Sequence, residues 1–340
     1  MSTLRGVKCC VLGAVMLGLL SCSKPVLEGA RLEALAEVAS QVNQDNLKGL
    51  VTELVDAHHM DTVDCPQLVE AERHDRAHCA LSRNRSGELL QTRLEQLGLR
   101  VRRQETAGTP FSTSNIVAEL PGSTHPEEII LVGAHYDAFH DGADDNTTGV
   151  AALVEMARVL SQYKFERTLR FVGFDHEEFG LIGSARYVQA EGNLPERIVA
   201  TMVFDCLGYY DSRPGSQASL PGLPTPPAGD FLAVIANDTS SQRASEVYAL
   251  NEALKLMKVV PLIAPRDGTG PLTGNLMRSD HASFWVQDHE ALFLTDTANF
   301  RNPNYHQATD TLDTLDFTSY QQAVRISAAT VAYWAGGPQP

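Results

Sequence analysis

The 340-residue chain has few basic side chains relative to its acidic ones. It contains 27 Lys and Arg against 42 Asp and Glu, which gives a formal net charge of −15. Because affinity for nucleic acid comes mostly from basic side chains that displace counterions, this balance argues against a nucleic-acid partner. Charged residues make up 20% of the chain and hydrophobic residues 43%, a composition that excludes collagen-like, coiled-coil and wholly disordered proteins. We expect a globular protein with two domains, or one large α/β domain with an extension.

Long hydrophobic runs are also missing. The N-terminal apolar stretch Cys9–Leu20 has about a dozen residues, whereas a membrane-spanning helix needs about 20. The stretch follows basic residues and ends in small ones, as a signal peptide does, so residues 1–21 are expected to be cleaved. The sequence Leu-Leu-Ser-Cys resembles a bacterial lipobox that would lipidate Cys22, the alternative being a plain secretory signal. We therefore expect an exported protein held by a lipid anchor, in the outer membrane facing the periplasm.

Cysteine is scarce, and only three of the six cysteines remain in the body of the exported chain. No Cys-x-x-Cys pair or zinc-finger spacing is present, which argues against a structural zinc site of that kind. Cys65 and Cys79 lie in one polar segment and are the natural disulfide pair in an exported protein, the alternative being two free thiols. Cys206 lies in an apolar segment predicted to be a strand and is expected to be buried and free.

Alternating helix and strand patterns predict an α/β fold. Apolar residues three and four apart indicate helices between residues 25 and 60 and at 88–99. Later, β-branched apolar runs alternate with helical segments. We predict a three-layer α/β/α sandwich with a mostly parallel, mixed central sheet over residues 113–340, and an N-terminal helical region over 22–112 packed on it. The Pro- and Gly-rich segment 212–229 should be a long loop, either functional or a surface insertion.

Polar side chains follow three of the apolar strands. His135 comes after IILVGA, the run Asp175–Glu178 after LRFVGF, and Asp205 after TMVF. The turn GADDNTTG contributes Asp144 and Asp145 just before a helix. Each group alone is more typical of a cap, a solvated pair or a structural histidine. Together they should converge at one sheet edge, where buried carboxylates are costly unless a cation neutralises them.

Nitrogen and oxygen ligands without thiolate favour zinc, and two adjacent zinc ions need a bridging carboxylate. A second histidine candidate, His306, lies late in the chain. Of the two consecutive glutamates Glu177 and Glu178, one can hold metal while the other takes a proton from water.

The motifs GAHYD, GADDNTTG, EEFGLIGS, VFDCLG, SDHAS and YHQATDT occur in this order between about residues 113 and 335. Together they resemble the zinc-dependent exopeptidases that include secreted bacterial aminopeptidases, glutamate carboxypeptidase II and glutaminyl cyclase. The resemblance implies a two-zinc site and a cis peptide bond between Asp145 and Asn146. It also implies a role for each matching residue: His135 and Asp205 on one zinc, Glu178 and His306 on the other, Asp145 as the bridge, Glu177 as general base, Asp137 as the partner of His135, Ser279 and Asp310 as supports of His306, and Tyr305 as an oxyanion donor or a packed aromatic.

The function that this resemblance implies is release of single N-terminal residues from peptides. Three alternatives stay open at this stage. One is a glutaminyl cyclase with a single zinc, and another is a zinc carboxypeptidase, for which Arg266 or Arg278 could bind the substrate carboxylate. The third is a noncatalytic binding ectodomain, which should lack the ligands.

Overall fold

The computed structural model describes residues 29–59, 80–191, 196–219, 225–270 and 273–339. The lipidation candidate Cys22 and the disulfide candidates Cys65 and Cys79 lie outside these residues. Cys206 is buried and forms no disulfide, as predicted. Within the described ranges, no helix has the length and apolar character needed to cross a bilayer.

Eight strands form one mixed sheet. They are β1 (Arg100–Thr106), β2 (Thr113–Leu120), β3 (His125–His135), β4 (Arg167–Phe174), β5 (Arg197–Phe204), β6 (Leu232–Asn237), β7 (Val259–Ala264) and β8 (Ala291–Thr295). Their spatial order is β1-β2-β4-β3-β5-β8-β6-β7. Strand β3 pairs in parallel with β4 and β5, β5 with β8, and β6 with β7, whereas β1–β2, β2–β4 and β6–β8 are antiparallel. The mixed, largely parallel sheet is confirmed.

Helices cover both faces of the sheet. They are α1 (Gly29–Ser40), α2 (Gln44–His58), α3 (Ala80–Gln96), α4 (Gly149–Leu160), α5 (Ile182–Glu191), α6 (Ser241–Leu254), α7 (His281–Trp285) and α8 (Phe317–Trp334). Successive residues of a strand point to opposite faces, so Ile130 and Val132 of β3 lie in one apolar core and Ile129 and Leu131 in the other. Helices α5 and α7 cover the second core and the remaining helices the first. The predicted three-layer sandwich is confirmed.

The N-terminal region is part of this architecture. Helices α1, α2 and α3 contribute apolar side chains to the core that α4 and α8 also line. The buried carboxylate of Glu155 on α4 accepts a hydrogen bond from the backbone N–H of Asn43, at 2.7 Å. Strand β1 lies within residues 22–112 and pairs along its whole length with β2. The expected boundary between residues 112 and 113 therefore falls inside a β-hairpin.

The parallel strands bring four polar loops to one edge of the sheet. Strands β3, β4, β5 and β8 end at His135, Phe174, Phe204 and Thr295. In open α/β sheets, ligands bind at the carboxyl ends of the strands. The described part of the Pro- and Gly-rich loop also reaches this edge, because Ala218 N–H donates to the carbonyl of Phe300, at 2.8 Å.

Candidate metal centre

His135, the last residue of β3, is fully buried and points at two carboxylates. Its Nε2 lies 3.4 Å from Asp145 Oδ1 and 3.7 Å from Asp205 Oδ2. Its Nδ1 lies 3.0 Å from the backbone carbonyl of Asp137 and 3.6 Å from that residue's carboxylate. Asp137 is thus the partner of the ring through its main-chain oxygen, and its carboxylate lies farther away. A histidine held through one ring nitrogen presents the other to a metal.

The Asp137 carboxylate also binds the loop after β4. Its two oxygens accept the backbone N–H groups of Glu177 and Glu178, at 3.1 and 3.2 Å. Asp137 is itself buried. It therefore ties the end of β3 to the loop after β4 and fixes the main chain at both glutamates.

Asp145 lies in a tight turn after β3. Gly142 opens this turn with φ +49°, and a Cβ there would lie 2.4 Å from the carbonyl oxygen of Asp145. The position therefore requires glycine both for its left-handed backbone and for space. The Asp145–Asn146 peptide bond is cis, as the resemblance implies.

Asp310 and Ser279 do not support His306 as expected. The Asp310 carboxylate accepts the backbone N–H groups of Asp144 and Asp145, at 3.0 to 3.2 Å, and so holds the turn that carries Asp145. Ser279 Oγ is buried without a hydrogen-bond partner among the described residues. Asp310 therefore holds the main chain of another loop. Its spacing from His306 in the sequence could not indicate this contact.

His306 completes a second group of ligand atoms. Its Nε2 lies 3.0 Å from Asp145 Oδ2 and 3.2 Å from Glu178 Oε2. The Tyr305 ring stacks on the imidazole at 3.9 Å between centroids, and the Phe139 ring contacts it at 4.4 Å. Two aromatic rings thus limit the positions open to the imidazole.

The donor atoms fit zinc. The structure brings the five predicted ligands into two groups, His135–Asp145–Asp205 and Asp145–Glu178–His306, each with all ligand atoms within 4.8 Å of one another. Asp145 belongs to both. Four buried atoms in these groups have no hydrogen-bond partner among the described residues, namely His135 Nε2, Asp145 Oδ2, Glu178 Oε1 and His306 Nε2. Buried polar atoms are normally satisfied, so convergent orphaned imidazole and carboxylate atoms fit a pair of zinc ions.

Electrostatics also favour a positive charge at this site. Burial raises the pKa of Glu177 well above its usual range, and the carboxylates of Glu178, Asp205 and Asp280 raise it further against the effect of His135. Burial and the charge of Asp145 also raise the pKa of Glu178. Carboxylates packed this closely need a cation or a proton between them.

Glu177 lies beside both ligand groups without belonging to the two that share Asp145. One of its carboxylate oxygens is within 4.8 Å of donor atoms of His135 and Glu178. Its side chain is nearly buried, with 8% of the residue exposed. This is a position from which a carboxylate can exchange a proton with a reacting water or amine.

Tyr305 and Arg278 meet at the rim of the site. Arg278 donates from Nη2 to the Tyr305 hydroxyl at 3.2 Å and from Nη1 to Asn299 at 2.7 Å. Arg266 lies instead in a short turn after β7, and the neighbouring Asp267 accepts from Thr239. Of the two arginines considered as carboxylate clamps, Arg278 is therefore the one beside a predicted catalytic residue.

Sequence reasoning missed two residues close to the centre. Asp280 is fully buried, and neither carboxylate oxygen has a hydrogen-bond partner among the described residues. Burial raises its pKa to about 7. Arg83 of α3 lies 3.3 Å from both oxygens of Asp175, two residues before Glu177. Asp280 adjoins Ser279 in the SDHAS motif and could have been proposed, whereas nothing in the sequence connects Arg83 to this loop.

Comparison with known proteins gives a family match. The family model described as Peptidase family M28 matches residues 115–331. The protein YfbL of Escherichia coli K12, described as uncharacterized, is 32% identical over 256 residues, which cover 71% of this chain and 77% of YfbL. The probable lipoprotein aminopeptidase LpqL of Mycobacterium tuberculosis is 30% identical over 257 residues. That match covers 68% of this chain and 47% of LpqL, so the chain spans about half of that relative.

Solved structures agree on the fold. LapA of Legionella pneumophila superposes with a TM-score of 0.69 at 20% identity, over 93% of this chain and 79% of LapA. BSAP, a zinc aminopeptidase from Bacillus subtilis, superposes with a TM-score of 0.53 at 26% identity, over 68% of this chain and 52% of that protein. The matched family region contains the five predicted ligands and Glu177.

Proposed function

Because the chain belongs to peptidase family M28 and is a zinc-dependent metallopeptidase, we propose that it is a two-zinc aminopeptidase that releases single residues from the N-termini of peptides. The observation that carries the proposal is the pair of ligand groups that share Asp145 and lie beside Glu177. The similarity to LpqL and BSAP, both described as aminopeptidases, supports it.

The proposed ligand sets are those of the two groups. His135 and Asp205 would hold one zinc, Glu178 and His306 the other, and Asp145 would bridge them. Zinc bound there would act as a Lewis acid on the scissile carbonyl and would lower the pKa of water. Asp144 is not proposed as the bridge, because its two oxygens already accept hydrogen bonds from Gly208 N–H and Asn302 Nδ2, at 2.7 and 2.8 Å.

Glu177 is proposed to move the proton. Its carboxylate would accept a proton from the attacking water and deliver it to the nitrogen of the departing amine. Its buried position beside the ligand groups suits a group that must both take and return a proton. Asp137 holds the backbone N–H of Glu177 at 3.1 Å and so orients it. Tyr305 would donate its hydroxyl to the developing oxyanion.

Charge favours attack at the amino end of a peptide. Glu177 and Asp280 add two carboxylates to those of the five ligands at this edge of the sheet. Two zinc ions would offset four of these five carboxylate charges, so with all five ionised a small negative excess would remain, which would attract the ammonium group of an N-terminus and repel a C-terminal carboxylate. This supports an aminopeptidase over a carboxypeptidase, although Arg278 supplies one cation at the rim.

Location and partners complete the proposal. Peptides are the proposed substrates, and membrane attachment is proposed to run through a lipid on Cys22. The lipobox-like sequence supports this anchor, as does the similarity to a probable lipoprotein aminopeptidase.

A substrate panel tests the function. Zinc-loaded protein should hydrolyse an alanyl nitroanilide, should not hydrolyse its N-acetylated form, and should lose activity in a chelator. Cyclisation of an N-terminal glutaminyl peptide without hydrolysis would identify a glutaminyl cyclase instead. Release of C-terminal residues from a blocked peptide would identify a carboxypeptidase.

A further inference from the structure

A polar groove lies at the edge of the sheet opposite the metal centre. It forms where β3, β4 and β5 begin, beside the end of α8. Glu128 of β3 lines the groove, and His135 ends the same strand at the metal centre. The two positions are seven residues apart, a rise of about 23 Å in a strand. The groove and the metal centre therefore lie at opposite ends of the strands.

Helix α1 begins beside this groove. It starts at Gly29, and the Arg31 guanidinium lies 4.7 Å from the centre of the Tyr333 ring, which also lines the groove. Cys22, the proposed site of lipidation, precedes Gly29 by seven residues. Seven residues span at most about 25 Å when fully extended. A lipid on Cys22 would therefore hold the groove end of the molecule close to the bilayer.

The same limit disfavours the opposite orientation. With the metal centre against the bilayer, the groove end would lie at least the length of β3 from the surface, about 23 Å. The loops that follow the strands would add to this distance. The connection from Cys22 to Gly29 would then be almost fully extended, which costs conformational entropy that the first orientation does not cost.

The groove is balanced in charge, unlike the chain as a whole. Its lining contains four carboxylates and the four arginines Arg31, Arg167, Arg197 and Arg243, whereas the chain has a formal net charge of −15. A face rich in carboxylates would be repelled by the phosphate groups of a bilayer. The groove combines both signs of charge, as zwitterionic lipid headgroups do.

Two of the four arginines can reach headgroups. Arg31 is exposed, and the Arg197 side chain is 69% exposed and donates from one nitrogen to Glu128. Arg243 instead donates from all three side-chain nitrogens to neighbouring protein groups. Tyr333 is partly exposed beside Arg31, and tyrosine is enriched at membrane interfaces. A guanidinium binds phosphate through paired N–H donors, so Arg31 and Arg197 suit contact with headgroup phosphates.

We propose that the groove edge, here called the anchor face (Arg31, Arg197, Glu128 and Tyr333), lies on the zwitterionic headgroups of the bilayer that holds the lipid of Cys22. The metal centre then opens away from the membrane. The inference rests on the lipid anchor and the aminopeptidase function proposed above. It names the substrate class as peptides in solution, because a peptide held close to the bilayer cannot reach the metal centre.

Energy transfer to a labelled lipid measures this orientation. The lipidated full chain is placed in vesicles of phosphatidylcholine and phosphatidylethanolamine that contain a rhodamine lipid. A dye is attached after Glu127→Cys, beside the anchor face, or after Thr309→Cys, in the loop that carries His306, and both positions are exposed. Because the two edges are about 23 Å apart, transfer should be about twofold or more stronger from position 127 than from position 309. The unsubstituted chain, labelled in the same way, corrects for dye on its own cysteines.

Charge reversal tests the arginines of the anchor face. Arg31→Glu combined with Arg197→Glu should lower the transfer from position 127 by about half or more, because headgroup phosphates repel glutamate. The matched control is Arg93→Glu combined with Arg213→Glu, which changes the net charge equally and should leave the transfer unchanged. Both control arginines form ion pairs elsewhere on the surface.

Peptides attached to the same vesicles through their C-termini test the substrate class. One peptide has a linker of a few ångströms and the other a linker of about 50 Å or more. The short-linked peptide should be cleaved at least about tenfold more slowly, because a linker that cannot span the distance gives an effective concentration near zero. In detergent micelles, where enzyme and peptide no longer share one surface, this difference should disappear.

Three results would overturn the orientation: transfer from position 309 that equals or exceeds transfer from position 127, transfer unaffected by Arg31→Glu with Arg197→Glu, or equal cleavage of the two peptides on vesicles. A mature chain whose mass shows no acyl group on Cys22 would also overturn it. These results leave the aminopeptidase function intact. Absence of hydrolysis of every unblocked soluble peptide by zinc-loaded protein would refute that function, and the energy transfer would still decide the orientation.

Discussion

At the metal centre, hydrogen bonds to the protein distinguish a residue that can bind metal from the residue next to it in the sequence. Asp144 and Asp145 are adjacent and both buried. The two oxygens of Asp144 accept hydrogen bonds from Gly208 N–H and Asn302 Nδ2, whereas Asp145 Oδ2 has no partner among the described residues. A carboxylate already satisfied by protein donors has little to gain from a metal. The choice of Asp145 therefore has a physical basis beyond its place in a motif.

The assigned general base gives the sharpest prediction for one residue. Glu177→Gln should lower kcat for an alanyl nitroanilide about a thousandfold, because the amide cannot take a proton. Zinc content should stay as in the wild type, because Glu177 is not a proposed ligand. The matched variant Glu178→Gln alters the adjacent ligand and should lower zinc content. Unchanged turnover in Glu177→Gln would remove Glu177 from the mechanism.

His281 predicts a pH dependence of stability. Burial lowers its pKa to about 4, its Nε2 contacts the Leu276 carbonyl at 2.7 Å, and its Nδ1 has no partner among the described residues. An unfolded histidine binds a proton below about pH 6.5, so the folded state binds fewer protons between pH 6.5 and 4. Neutral His281 therefore makes its full contribution to the free energy of unfolding above pH 6.5. This contribution is lost as the pH falls towards 4, and the loss is at most about 3 kcal/mol.

Urea unfolding at pH 7 and at pH 4.5 measures this effect as a difference between two proteins. Between pH 7 and pH 4.5, the free energy of unfolding should decrease more in the wild type than in His281→Gln. Equal pH dependence in the two proteins would mean that His281 is protonated in the folded state at no cost.

The sequence predicts where the strands end, but it does not predict the hydrogen-bond partners of several side chains. His135, Glu178 and Asp205 lie where apolar runs stop, and the parallel sheet brings them together. By contrast, Asp310 binds backbone N–H groups 165 and 166 residues earlier in the chain. Such a contact depends on the path of two loops in space, which local pattern does not encode.

Among the elements, α3 acts on the site from outside the matched family region, residues 115–331. Arg83 Nη1 lies 3.3 Å from both Asp175 oxygens and 2.7 to 2.8 Å from the ring nitrogens of His176. The Phe111 ring stacks on the same imidazole at 4.7 Å. His176 has a left-handed backbone, φ +53°, a conformation that non-glycine residues adopt only when their surroundings hold them there. The helix therefore helps to fix the segment just before Glu177.

Loss of this contact should affect the rate more than substrate binding. Arg83→Ala should lower kcat about tenfold to a hundredfold, because small displacements of a catalytic group are costly. KM and zinc content should change little, and Arg83→Lys should recover part of kcat. Arg93→Ala on the same helix, which removes a surface ion pair with Glu53, is the control. Equal kcat in Arg83→Ala and Arg93→Ala would show that α3 has no part in positioning Glu177.

Element prediction succeeded where periodicity was strong. Helix α4, one of the helical segments predicted between the strands, runs from Gly149 to Leu160 and is buried along nearly its whole length. The predicted helix 88–99 is instead the second half of α3, which runs from Ala80 to Gln96. The first half of α3 has the polar sequence ALSRNRSG, so its helical period is hidden.

At the scale of the whole molecule, the N-terminal region and the family region share one core. Leu35, Leu47 and Leu90 are buried in the same apolar cluster as Leu153 and Val331. Composition suggested a body with an extension, but only the packing reveals that the extension also supplies β1 to the sheet and Arg83 to the loop after β4. Non-local contacts of this kind form only in the folded chain.

The zinc content of the purified protein tests the central claim most directly. Elemental analysis of the wild type and Asp145→Ala, combined with activity before and after a chelator, measures whether two ions share one carboxylate. We predict two zinc ions per wild-type chain, loss of activity on chelation that zinc restores, and loss of zinc from both positions in Asp145→Ala. Full activity in metal-free protein, or zinc content unaffected by Asp145→Ala, would contradict the assignment.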